Sequence, residues 1–145
     1  MKPFVLTPYA FGAVLKEEVA LLDRIREAMT ALPDLDLGRD DGGDPYFVSC
    51  HMVARAVATV YGLQFRDGRF NGDVEHSWCV TANDNIVDAY PVGILGGPLL
   101  VVGPTWSRLY VEQPPQLLKL AHIDTQRFGN AVIRVTEALR SVARA

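Results

Sequence analysis

The sequence predicts an α+β fold: a helix that opens on a cysteine, packed on an antiparallel sheet of about four strands, with flanking N- and C-terminal helices. Three observations carry this. Apolar residues recur at helical spacing over residues 13–31, 49–61 and again within 124–144. The strand-like segments between them follow one another instead of alternating with helices, which favours antiparallel pairing. Glycine, asparagine or proline punctuates each of those segments. The 145 residues suffice for one core, so the chain is read as a single domain over 1–145.

In order, "MKPFVLTPYAFGAVLKEE" has one lysine and then apolar residues, but Pro3, Pro8 and Gly12 interrupt it and Lys16-Glu17-Glu18 follow at once. It does not read as a secretory signal, and the expected location is cytoplasmic. Cys50 and Cys79 agree with that, since cytosolic thiols stay reduced. Over 13–31, Val14, Leu15, Val19, Leu22, Ile25 and Met29 mark one helix face, and Pro33 stops the helix. A polar, glycine-rich loop, "DLDLGRDDGGDP", leads to the second helix, 49–61, with Ser49 as N-cap and Gly62 as C-terminal stop. Strand character appears in "LQFRDGRF", "HSWCVT", "NIVDAY" and "PLLVVG". After "WSRLYVEQ" and Pro114-Pro115, a final helix lies within "DTQRFGNAVIRVTEALRSVAR".

The net charge of −3 and the pI of about 5.5 argue against a nucleic-acid partner. The richest basic stretch, Arg127 to Arg144, has its arginines spaced as on the solvent side of a helix. No apolar run is long enough to span a membrane.

Cys50 falls one residue past the N-cap. Unpaired N–H groups and partial positive charge at a helix start favour a thiolate over a thiol, and the same groups can receive an oxyanion. From position alone, a small buried cysteine remains the competing reading. A nucleophile needs a base. His51 is adjacent, and adjacent helical residues point about 100° apart; it reads as a surface or core-edge histidine. His122, in "LKLAHID", reads as structural. His76 is left. It shares a strand face with Trp78 and Val80, opposite Ser77, Cys79 and Thr81. Asp88 is unusual in mid-strand, where aspartate is depleted, and a half-buried carboxylate needs a partner. His76 would supply one; a backbone cap, or Arg66 or Arg69, are the alternatives. The register decides. A three-residue loop, Ala82-Asn83-Asp84, pairs Thr81 with Asn85 and Trp78 with Asp88. Asp88 then lies diagonal to His76 at about 7 Å between Cβ atoms. A two-residue loop at Asn83-Asp84 turns Asp88 to the opposite face. The residues allow both.

The order of a cysteine at a helix start, His-Ser-Trp on a strand and Ile-Val-Asp-Ala-Tyr-Pro on the next resembles the papain-like cysteine hydrolases, and within them the transglutaminase-like branch. The matching residues are Cys50, His76, Trp78, Asp88 and Pro91, over Ser49 to Pro91. The resemblance implies a papain-like/transglutaminase-like fold and a Cys50–His76–Asp88 triad: a thiolate, an imidazole base and an orienting carboxylate. It implies hydrolysis or acyl transfer on an amide or ester through a thioester, with a protein or peptide amide as substrate and no cofactor. Trp78 and Ser49 are the expected substrate-binding residues. No glutamine precedes the cysteine, no tryptophan or Gly-x-Cys approach surrounds it, and His76 and Asp88 are twelve residues apart, all departures from the family pattern. Zinc is disfavoured because neither Cys-x-x-Cys nor His-x-x-x-His spacing occurs and His76 and Cys79 point to opposite faces. The alternative function is a non-catalytic protein-binding module that retains the fold, with the aromatic stretch "GPTWSRLYVEQPP" contacting a partner or gating a cleft; the competing reading of that stretch is that Trp106 and Tyr110, four residues apart, simply pack together.

Overall fold

The computed structural model describes residues 4–7, 10–39, 41–90, 99–101, 109–122 and 125–143, with side chains placed from Leu15 onward except at 99–101 and 121–122. The described strands are β1 (Phe4–Thr7), β2 (Ala10–Leu15), β3 (Gln64–Phe70), β4 (Val74–Val80), β5 (Ile86–Asp88), β6 (Leu99–Val101) and β7 (Tyr110–Glu112). The described helices are α1 (Lys16–Ala31), α2 (Cys50–Tyr61) and α3 (Thr125–Ala143), with 3-10 turns at Pro115–Leu117 and Lys119–His122. The class is α+β. The strands form one sheet in the order β1-β2-β6-β5-β4-β3-β7. Its centre is the antiparallel run β3, β4, β5, β6, extended by antiparallel β7 at one edge and by β2 and β1 at the other, where β2 meets β6 in parallel.

The N-terminal helical spacing starts earlier than the helix does. Val14 and Leu15 lie in β2, paired with Val5 and Phe4, and α1 begins at Lys16. Strand pairing with the neighbouring β1 outweighs helical periodicity here, as it can for short apolar runs. Glu17 and Glu18 then occupy the first turn of α1, where acidic side chains suit the helix dipole. Both ends of α2 are as read from the chain. Ser49 accepts the Met52 N–H at 3.5 Å, and Gly62, at φ 72°, closes the helix in the left-handed region that glycine enters without strain. Such a cap contributes about 1 kcal/mol.

The two faces of the sheet differ. The three helices cover one face and build the main core from Val19, Leu22, Ile25, Val53, Val57, Val135 and Leu139, with Cys79 and Val87 rising from the sheet. The other face carries a smaller layer of Phe70, Trp78, Ile86 and Tyr110. The long loop before α2 is anchored rather than loose. Leu37 is buried, Asp36 O accepts from Arg134 of α3, and the Asp41 carboxylate meets Arg127 at 2.9 Å. This holds the approach to Cys50 against the helical layer.

Among the described residues, no helix is long and apolar enough to cross a membrane.

Candidate active site

The β4–β5 hairpin takes the three-residue loop. Cys79 pairs with Val87 and Val80 with Ile86, Thr81 N–H donates to Asn85 O at 2.8 Å, and Asp84 N–H closes the turn on Thr81 O at 3.0 Å. Asp84 sits at φ 61°, the left-handed residue that a three-residue hairpin loop needs. The loop is held from outside as well. The buried carboxylate of Glu18 on α1 accepts from Asn83 Nδ2 at 2.9 Å and from Asn85 Nδ2 at 3.1 Å. These asparagines serve tertiary contact as well as turn chemistry, a role not readable without knowing that α1 lies beside the loop.

That register puts Asp88 and His76 on one face. His76 Nε2 contacts both carboxylate oxygens of Asp88 at 2.9 Å. A carboxylate only accepts, so Nε2 carries the proton and donates. Asp88 is fully buried and His76 is 2% exposed. Tyr110 O–H donates to Asp88 Oδ2 at 2.9 Å, giving the carboxylate a second donor. The sequence reading missed this residue; the available signal was that a buried tyrosine needs a partner for its hydroxyl. Arg66 and Arg69, the alternative partners of Asp88, bond elsewhere: Arg66 to Gln64 at 2.7 Å, and Arg69 to Leu117 O at 3.1 Å.

Aromatic rings surround the pair. Trp78 stacks on the His76 ring at 6.4 Å and 25°, Phe70 meets it edge-on at 6.0 Å, and Tyr110 is tilted against it at 6.4 Å. Trp78, expected to touch substrate, is 3% exposed, and the structure places it in this layer as packing for His76. Ser49, also expected to touch substrate, uses its hydroxyl as the cap of α2. Gly68 makes the layer possible. A Cβ there would stand 2.1 Å from Val111 O and 2.9 Å from the Trp78 ring, so β7 and the indole could not both keep their places.

Cys50 is half-buried at the first position of α2, close enough to His76 to alter its ionisation. Burial pushes the His76 imidazolium down, the largest single effect. Hydrogen bonds to Asp88 and Cys50, together with the charges of both, outweigh it and raise the pKa to about 9. Cys79 is a different thiol. It is fully buried, donates to Ala54 O at 3.1 Å, and burial pushes its pKa to about 12. It is packing.

His51 is not at the surface. It is 8% exposed and joins a polar network on the helical side of β4. Nδ1 lies 2.5 Å from Ser77 Oγ, and Nε2 lies 3.2 Å from Glu75 Oε2. Ser77 Oγ donates to Asp67 Oδ1 at 2.5 Å, and Arg55 clamps Asp67 with bonds of 2.9 and 2.7 Å. The Arg55 guanidinium also lies over Phe65 at 4.3 Å and Phe128 at 5.3 Å, joining α2 to β3 and α3.

An open cleft of about 520 Å³ lies between the helices, lined among others by Arg24, Tyr61 and Arg140. Cys50, His76 and Asp88 are not among its lining residues. Among the described residues no group of three or more His, Cys, Asp or Glu side chains is arranged to hold a metal ion. Pro91, Trp106 and the side chain of His122 lie outside the described residues. Comparison with protein-family models, curated proteins and solved structures finds no match for this chain.

Proposed function

We propose that the chain is a papain-like, transglutaminase-like cysteine hydrolase or acyl-transferase working through Cys50, His76 and Asp88. One observation carries the reading: a fully buried carboxylate bonded to a buried imidazole, which is in turn coupled to a cysteine at a helix start. An imidazole raised to about 9 beside a thiol stays protonated at neutral pH, which favours a thiolate–imidazolium pair.

With Nε2 held by Asp88, Nδ1 is the ring nitrogen left for Cys50. The chemistry follows from that orientation. Cys50 Sγ attacks an amide or ester carbonyl carbon, and the first-turn N–H groups of α2 receive the oxyanion. Collapse breaks the bond to the leaving amine or alcohol, which takes the proton from His76, and a thioester remains on Cys50. Water or an acceptor amine, deprotonated by His76, then attacks the thioester and releases Cys50. Asp88 stays ionised throughout, fixing the ring and balancing the imidazolium. A protein or peptide amide is the substrate class that this chemistry and the resemblance share.

Labelling with iodoacetamide followed by mass mapping tests the reading. Cys50 is expected to react faster than free cysteine at neutral pH, with His76→Ala removing the advantage. Labelling no faster than free cysteine, unchanged in His76→Ala, returns the chain to a non-catalytic binding module.

A further inference from the structure

The network around His51 contains one proton more than its neutral groups would supply. Asp67 is held as a carboxylate: burial opposes its charge, but the paired bonds from Arg55, the bond from Ser77 and the Arg55 charge act against that, and its pKa is lowered. Ser77 has one hydroxyl proton, and it goes to Asp67. Ser77 Oγ can then only accept from His51, so Nδ1 carries a proton. Both oxygens of Glu75 already accept backbone N–H groups, Oε1 from Lys119 at 2.5 Å and Oε2 from Leu120 at 3.1 Å, which favours a carboxylate there too. The contact from His51 Nε2 to Glu75 Oε2, at 3.2 Å, therefore needs a second ring proton.

We propose that His51 is a positioning residue that works as a proton-operated clamp: as an imidazolium it ties the first turn of α2, and with it Cys50, to β4 and to the Lys119–His122 turn. This rests on the triad reading and adds regulation of the same site. The charged groups that face the ring are Asp67 from β3, Glu75 from β4 and Arg55 from α2 itself. Burial pushes the imidazolium down more than the two carboxylates pull it up, so the proton that closes the clamp is loosely held. When it leaves, a bare Nε2 lone pair faces a carboxylate, and the bond is lost. The clamp closes in mild acid and opens as pH rises.

Imidazole ¹⁵N NMR across roughly pH 5 to 8 reads the ring directly. His51 is expected to lose its Nε2 proton with a midpoint below 6.5, and the Leu120 amide, bonded to Glu75, to move with the same midpoint. Iodoacetamide rates at Cys50 supply the coupling, as the ratio of the unaltered chain to Glu75→Ala. The ratio is expected to be about threefold or more below that midpoint and to approach one above it. A silent Leu120 amide, or a ratio that is flat with pH, overturns the clamp. If Cys50 reacts no faster than free cysteine at any pH, the triad reading fails, while the His51 and Leu120 titrations still decide the clamp.

Discussion

One histidine lies in β4 and a second packs against that strand from α2, and the protein treats them in opposite ways. His76 lies on the aromatic face, stacked on Trp78 and bonded to one carboxylate that has no cation of its own nearby among the contacts described. His51 lies on the helical face between two carboxylates, one of them already neutralised by Arg55. Burial disfavours both imidazolium ions. On the aromatic side Asp88 and Cys50 outweigh it, and the pKa rises to about 9; on the helical side they are not matched, and the pKa falls below 6.5. More acidic neighbours do not make the more basic histidine. What differs is the direct bonding to the ring: hydrogen bonds to Asp88 and Cys50 outweigh burial at His76, whereas at His51 burial prevails over two carboxylates that act mainly through their charge and are opposed by Arg55.

The largest effect that would break the comparison is at His76 itself. His76→Ala is expected to slow modification of Cys50 by about 100-fold or more, the usual scale for a positioned base, while Cys79 stays unmodified in the folded chain. Next is Gly68→Ala. The added methyl cannot coexist with Val111 O and the Trp78 ring, so a loss of about 1–3 kcal/mol or more in urea unfolding is expected. An alanine tolerated without loss would mean that the β3–β7 packing is looser than described.

Asp88→Asn sharpens the contrast. Without the carboxylate, His76 is expected to titrate well below its value of about 9 and nearer 6.5, read by NMR of a chain with only three histidines. The smallest change is Tyr110→Phe. Removing one donor from Asp88 leaves its charge more available to His76, so the His76 titration should move up, opposite to Asp88→Asn, at a cost of about 1 kcal/mol in stability.

The two histidines also set opposite limbs of stability against pH. The folded pKa of His76 is raised, so its contribution is complete below 6.5 and lost as pH rises through about 9. The folded pKa of His51 is lowered, so stability falls as pH drops below 6.5. Thermal unfolding measured against pH should show both limbs, and His76→Gln should remove only the alkaline one.

The parts legible in the sequence are those governed by near neighbours. Ser49 and Gly62 bound α2 because capping is local chemistry. The pairing of Asp88 with His76 was reduced to a choice between two turns by strand alternation alone. The loop that forms is held locally, by Thr81 Oγ1 accepting from the Asn83 and Asn85 N–H groups, and also from more than sixty residues earlier, by Glu18 bonded to both asparagine side chains. The same limit hid Tyr110 behind Asp88 and the partners of His51, all set by tertiary approach. It also hid β2, whose partner β6 lies across most of the chain, and with it β1, which pairs with β2 at the sheet edge.

The central claim is that Cys50 is activated by His76, and the pH dependence of Cys50 alkylation tests it most directly. The account predicts fast modification by iodoacetamide at about pH 6, well under the ordinary thiol pKa of about 8.5, and loss of that reactivity in His76→Ala. A rate that follows an ordinary thiol near 8.5, the same in both chains, would contradict it.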